Sequence, residues 1–178
     1  METTQIITSG LSTGMLILRV IVGLVMAAHG AQKLFGWFGG YGLTGTGEFM
    51  VQLGFKQGRL FATAAALSEF GGGLLVALGF LGPVGPALII SVMFVAAVTV
   101  HWKNGLFATA NGIELPLLFG ATAVAIALIG PGRYSLDAVL GITPLWTQTV
   151  SWIAIGAGLL GAVGNLALRH APPKAPAT

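Results

Sequence analysis

Cysteine is absent from this chain. Its absence removes a disulfide framework, a thiolate metal site and any thiol chemistry of the chain's own. Charge is nearly as scarce. Eight Lys and Arg and five Asp and Glu make up 7% of 178 residues, too few to clothe a soluble domain of this length. No basic run tracks a phosphate backbone, so nucleic acid is excluded as a partner and the net charge of +3 is read as membrane topology. The first thirteen residues carry a Glu but no Lys or Arg, which argues against a cleavable signal.

What fills the chain instead is hydrocarbon. Hydrophobic residues are 55% of the sequence, and the mean hydropathy is +0.90. Five runs, at 14–35, 59–81, 85–102, 113–129 and 149–168, reach the ~17–25 residues that cross a bilayer as a helix. Strands are excluded at that depth because an open sheet edge leaves its amides unpaired. Two prolines and two glycines at 81–86 predict a tight turn, which makes the second and third runs an antiparallel hairpin. A Gly-Pro-Gly turn at 130–132 ends the fourth run. Lys56, Arg59, Lys103, Arg169 and Lys174 share one side, and only Arg133 stands on the other. The excess of basic residues on cytoplasmic loops then places the N-terminus outside and the C-terminus in the cytoplasm.

The scarce charge is also misplaced. Arg19, His29, Lys33, Glu69 and His101 lie inside or at the end of these runs. A charge at the bilayer centre costs about 2.5–3.5 kcal/mol on insertion scales, so such groups face a bundle interior and mark a candidate site. At about 100° per residue, Arg19, Gly23, Met26, Gly30 and Lys33 form one stripe of the first helix, with His29 on its flank. Antiparallel packing brings Glu69 between the depths of Arg19 and His29, and either is an available partner. A site and a bundle-ordering ion pair are both open readings of that contact. His29, His101 and Glu114 come from three helices at similar depth. Without HxxxH or ExxH spacing they point away from a metal and toward proton transfer. The expectation is that Arg19, Lys33, Glu69 and Glu114 face one cavity among the first four helices. The fifth run has no internal charge, and Gly158, Gly161 and Gly164 recur every three residues, so it reads as a peripheral packing helix.

Between the first two runs lies Gly36-Trp-Phe-Gly-Gly-Tyr-Gly-Leu-Thr-Gly-Thr-Gly47. It has no lysine followed by Ser or Thr, so it is not a phosphate-binding loop. It reads as an interfacial loop with Trp37, Phe38 and Tyr41 at headgroup level, aromatics that also suit a flat quinone ring.

Five ordered segments carry a resemblance: His29-Gly-Ala-Gln-Lys-Leu-Phe-Gly-Trp-Phe-Gly-Gly40, Glu69-Phe-Gly-Gly-Gly-Leu-Leu75, His101-Trp-Lys-Asn-Gly105, Glu114-Leu-Pro-Leu117 and Gly130-Pro-Gly-Arg-Tyr-Ser-Leu-Asp137. Over residues 11–141 the sequence resembles the DoxX family of small bacterial membrane proteins. The resemblance implies an all-α membrane protein with a four-helix transmembrane bundle over 1–141, which makes 142–170 an added C-terminal transmembrane helix; the short Pro/Ala stretch at 171–178 reads as a disordered tail. Some relatives are similar to the small subunit of a thiosulfate:quinone oxidoreductase or quinol oxidase. The expected function is therefore that of a multi-pass protein of the cytoplasmic membrane in a quinone-linked redox system. In it Glu69 and Glu114 carry protons, His29 and His101 donate to quinone oxygens, and Arg19, Lys33 and Trp37 line the quinone site. No haem or flavin motif is present, so no covalent cofactor is expected and electron transfer needs a partner subunit. Membrane lipid and a second copy of the chain complete the expected partners. The alternative is a non-enzymatic scaffold for a redox complex, or a small-solute carrier.

Overall fold

A computed structural model describes the backbone of residues 2–170 and the side chains of residues 9–170; the tail expected to be disordered lies outside the described residues. Every regular element among the described residues is a helix, as backbone without water must satisfy itself. Besides short 3-10 turns, they are α1 (Glu2–Phe35), α2 (Gly42–Gln52), α3 (Gly58–Leu78), α4 (Val84–Ala96), α5 (Glu114–Ile129), the single turn α6 (Leu136–Val139) and α7 (Gln148–Ala167). A π-helical turn, Ala97–His101, carries α4 onward to His101.

Four stretches are long and apolar enough to cross a membrane: Ser9–Phe35, Gly58–Leu78, Val84–Asn104 and Gln148–Ala167. The run expected at 113–129 falls short. α5 has 16 residues and is therefore about 24 Å long, against a hydrocarbon core of about 30 Å. Its start is delayed by a turn that reverses at Asn111 (φ 60°), where the Ile113 and Glu114 amides donate back to Gly105 and Leu106. Gly130 and Pro131 stop it at the other end.

A second correction concerns 36–47. Left-handed residues Gly36, Phe38 and Gly39 turn the chain, and then α2 forms where a loop was expected. Glycine at 45 and 47 lowers helix propensity there, but Gly47 is buried with its Cα side against the backbone of Gly58 and Arg59. Tertiary contact with α3 offsets the weak local preference.

α1 and α3 pack most extensively, and small residues set how they meet. Gly23 abuts Ala77, Ala27 abuts Gly73, and Gly30 abuts Phe70. Each pair of numbers adds to 100, which defines an antiparallel register. The buried stripe of α1 is Met15, Arg19, Gly23, Met26, Ala27, Gly30 and Ala31, while Ile17, Ile21, Leu24 and Val25 face outward. α4 crosses behind α3 and supplies Ile89, Ile90, Val92 and Met93 to the core, where they meet Met26, Val76, Ala123 and Ile126.

α7 lies against α4 and, less extensively, against α5. Its buried face is Ser151, Ile155, Gly158 and Ala162, spaced four, three and four. Of the three glycines expected to pack, only Gly158 does so closely, against the backbone of Ala87; Gly164 has no neighbour within 4 Å. A three-residue repeat rotates around a 3.6-residue helix, so it leaves the contact face. Beyond α7 the chain reaches the turn before α3, where Arg169 Nε donates to the Leu53 carbonyl and the His170 amide to the Gly54 carbonyl at 2.9 Å.

Candidate functional site

The α1–α3 register decides which charges meet. Glu69 stands opposite Ala31, one half-turn from Lys33, and the Lys33 ammonium pairs with its Oε2. Arg19 is twelve residues up α1, about 18 Å along the axis. Glu69 is therefore the partner of Lys33 and not, as the sequence allowed, of Arg19. Lys33 also sits in the last turn of α1, where the helix dipole favours a cation. His29 lies one turn back and within electrostatic range of Glu69. Its Nδ1 shares a 3.2 Å hydrogen bond with Gln32 Oε1, and its ring meets Phe119 of α5 edge-on at 6.2 Å.

The two partners differ in access. The Glu69 side chain is 4% exposed and that of Lys33 27%. Lys33 is exposed because it forms part of the wall of a cleft of about 550 Å³ between the end of α1, the turn after it and α2. Gln32, Tyr41, Thr46, Glu48 and Gln52 bring further polar atoms to that wall. A buried carboxylate thus pairs with a half-exposed lysine that lines an open cleft. Such an arrangement can pass a proton between cleft and interior, or hold an acceptor oxygen at Lys33.

The other expected site residues are elsewhere. Arg19 is wholly buried at the opposite end of the bundle, with its guanidinium donating to the carbonyls of Val76 and Tyr134 and close to Asp137. Gly79 makes room for it: a Cβ there would lie 1.8 Å from the guanidinium. The residue that sequence reasoning missed is Asp137. It is fully buried, and its two carboxylate oxygens accept from the Leu81 amide at 2.9 Å and the Gly82 amide at 2.7 Å. Both of those residues have left-handed backbone, so one carboxylate fixes the α3–α4 turn. The available signal was Ser135, which caps the turn holding Asp137 by accepting from the Ala138 amide.

His101 and Glu114 do not join His29. His101 Nδ1 donates to the Asn111 carbonyl at 2.8 Å, and Glu114 Oε2 accepts from the Ala108 amide at 2.7 Å. Both brace the α4–α5 loop. The single cavity expected for Arg19, Lys33, Glu69 and Glu114 is therefore three separate places. Trp37 is exposed and lies between Phe35, tilted at 4.9 Å, and Phe38, edge-on at 6.4 Å, and is not among the residues of the cleft wall. Among the described residues no three His, Asp or Glu side chains converge as metal ligands would. A second cleft of about 600 Å³, between α4, α5 and Leu159 of α7, has an almost wholly apolar lining.

No curated protein and no solved structure matches the chain. The DoxX family model matches residues 14–102, half of the 178. That segment contains Arg19, His29, Lys33, Trp37, Glu69 and His101; Glu114, Asp137 and α7 lie beyond it. With half its length inside that match and four helices fit to span a bilayer, the chain is a multi-pass membrane protein of the DoxX family.

Proposed function

We propose that this protein serves a quinone-linked redox system of the cytoplasmic membrane, with Lys33 and Glu69 as its working pair. Glu69 carries a proton, Lys33 balances its charge and donates to a ligand oxygen, and His29 stands as a second proton group beside them. The cleft between α1 and α2 receives the quinone headgroup. One observation carries this reading: a carboxylate buried at membrane depth has as its ion-pair partner the only lysine or arginine in the wall of an open cleft. Arg19, His101 and Glu114, each held by backbone groups, are left out of the working set, and Trp37 is given no headgroup contact. Electrons come from a partner subunit, since the chain has no Cys to hold a cluster.

The same reading takes the short α5 as a crossing together with the four long stretches, with the N-terminus outside. Its support is the position of the α5 ends. The loop before α5 follows α4 on the side where α1 ends, and the segment after it holds Tyr134 against Arg19 at the other side.

Two variants test the assignment in a deletion strain with a redox phenotype and in purified protein. Glu69→Gln keeps shape and hydrogen bonding, and the Lys33 it leaves unpaired can rehydrate in the cleft. It should accumulate and melt nearly as wild type while failing to restore the phenotype. Lys33→Met should abolish saturable quenching of tryptophan fluorescence by 2-methyl-1,4-naphthoquinone. A Glu69→Gln protein that restores the phenotype, together with unchanged quenching in Lys33→Met, would leave a scaffold as the better reading.

A further inference from the structure

The Lys33–Glu69 pair and its cleft have an imbalance that bears on what the site binds. Lys33 is the only lysine or arginine in the cleft wall, and its ammonium is committed to a carboxylate behind it. Around Glu69 the charged and titratable neighbours are Lys33 and His29, both on α1. α5 contributes Phe119, which contacts His29, and α2 contributes Glu48 on the cleft wall. An ammonium has three donors in a compact head on a flexible stem, so Lys33 can turn from the carboxylate toward the cleft. Whatever draws it outward leaves Glu69 buried without a cation.

We propose that an oxyanion entering this cleft takes Lys33 from Glu69, and that Glu69 accepts a proton in exchange. The inference rests on the pair and cleft being the working site, and adds the ligand's charge and the direction of the proton. Before binding the site holds one ammonium and one carboxylate. Afterwards it holds the ammonium, the bound oxyanion and a neutral carboxylic acid. Net charge is zero in both states, the proton comes from bulk water through the cleft, and one O–H bond forms. The alternative is an ammonium with two anions, one of them a desolvated carboxylate, which low-dielectric surroundings disfavour strongly. A neutral quinone carbonyl is a weaker acceptor than the carboxylate it must displace, so it does not drive the exchange.

The wall also limits which oxyanion fits. Glu48 disfavours more than one negative charge, while Tyr41 and Phe49 offer faces for a flat apolar body. The ligand class is a monovalent oxyanion, either on a small organic ring or as the phosphodiester of a lipid headgroup.

The test compares 2-hydroxy-1,4-naphthoquinone, ionised at neutral pH, with neutral 2-methyl-1,4-naphthoquinone. Protein in phosphatidylcholine nanodiscs is titrated by calorimetry in two buffers of different ionisation enthalpy, which counts protons taken up. The ionised probe should bind with uptake of about one proton per site and weaken about tenfold per pH unit where Glu69 must be protonated. The neutral probe should bind without uptake. Glu69→Gln should bind the ionised probe without taking up a proton, and His29→Gln should leave uptake intact. Wild-type binding of the ionised probe without a proton overturns the exchange but leaves the cleft as the site. No saturable binding of either probe overturns both. Uptake that survives Glu69→Gln and disappears in His29→Gln moves the proton to His29 and also overturns it. The proton count is made on wild-type protein, so it decides the matter even if a variant accumulates poorly. With phosphatidylglycerol replacing part of the phosphatidylcholine, whose phosphodiester is balanced by its own quaternary ammonium, loss of probe binding by competition identifies the phosphodiester of an anionic lipid as the resident oxyanion. Unchanged binding identifies a free organic anion.

Discussion

Asp137 joins three things with one side chain: the amides of Leu81 and Gly82 and the charge of Arg19. Removing it strands two half-buried N–H donors and a buried guanidinium. Breaking a buried pair from one side typically costs about 3–5 kcal/mol. Asp137→Ala should therefore lower the thermal midpoint sharply and reduce accumulation, whereas Arg133→Ala, four residues away and exposed, should do neither. A melting curve for Asp137→Ala that overlays wild type would remove the clamp from this account. The burial of Arg19, Gly23, Met26 and Gly30 was legible beforehand, because charge and small side chains are costly or wasted against lipid. The partner of Glu69 was not. Depth from span midpoints left Arg19 and His29 as candidates, while the true offset is fixed by glycine Cα atoms meeting opposing backbone. Helical periodicity gives the face but carries no axial register. Asp137 escaped notice for a related reason: it lies after the apolar run, in the single turn α6, and its importance comes from a turn 55 residues earlier.

That register makes α1 and α3 behave as one unit. A Cβ at Gly30 would lie 2.3 Å from the Phe70 amide nitrogen, so even alanine must push the helices apart by about 1 Å. Overpacking of this kind costs about 1–3 kcal/mol, and the separation is felt one turn on at Lys33 and Glu69. Gly71, on the same helix as Phe70, has nothing within 4 Å. Alanine there should be neutral or slightly stabilising, since Gly is ~1 kcal/mol worse than Ala within a helix. The prediction is a contrast: Gly30→Ala should lower both melting temperature and the activity that depends on Glu69, and Gly71→Ala should lower neither. Equal effects of the two would show that close helix approach is not what seats the pair. α2 and α5 show why element boundaries were the weaker part of the sequence reading. α2 is held by α3 against its own glycines. α5 begins only after the Ile113 and Glu114 amides have donated back to the Gly105 and Leu106 carbonyls, which no count of apolar residues reveals.

Because α5 is the short member, the whole topology turns on whether it crosses. Four crossings and five crossings put Lys103 and Arg133 in different relations: on the same side if α5 does not cross, on opposite sides if it does. The packing favours five. The chain after α7 returns to the α2–α3 turn through Arg169 and His170, at the end of the bundle where α1 stops. Arg19 and Tyr134 meet at the other end. A helix of about 24 Å can connect those ends if the turns flanking it reach into the interface, at a modest cost in local bilayer thinning. The absence of cysteine makes the measurement clean, because a single introduced thiol is the only one present. Lys56→Cys, Lys103→Cys and His170→Cys should react with a membrane-impermeant maleimide only after the cytoplasmic side is opened. Arg133→Cys should react in intact cells. Labelling of positions 103 and 133 from the same side would reduce the crossings to four. Labelling of 56, 103 and 170 in intact cells, with 133 protected, would keep five crossings but invert the molecule. The Lys33 cleft would then open outward, and any proton entering with its ligand would come from outside the cell.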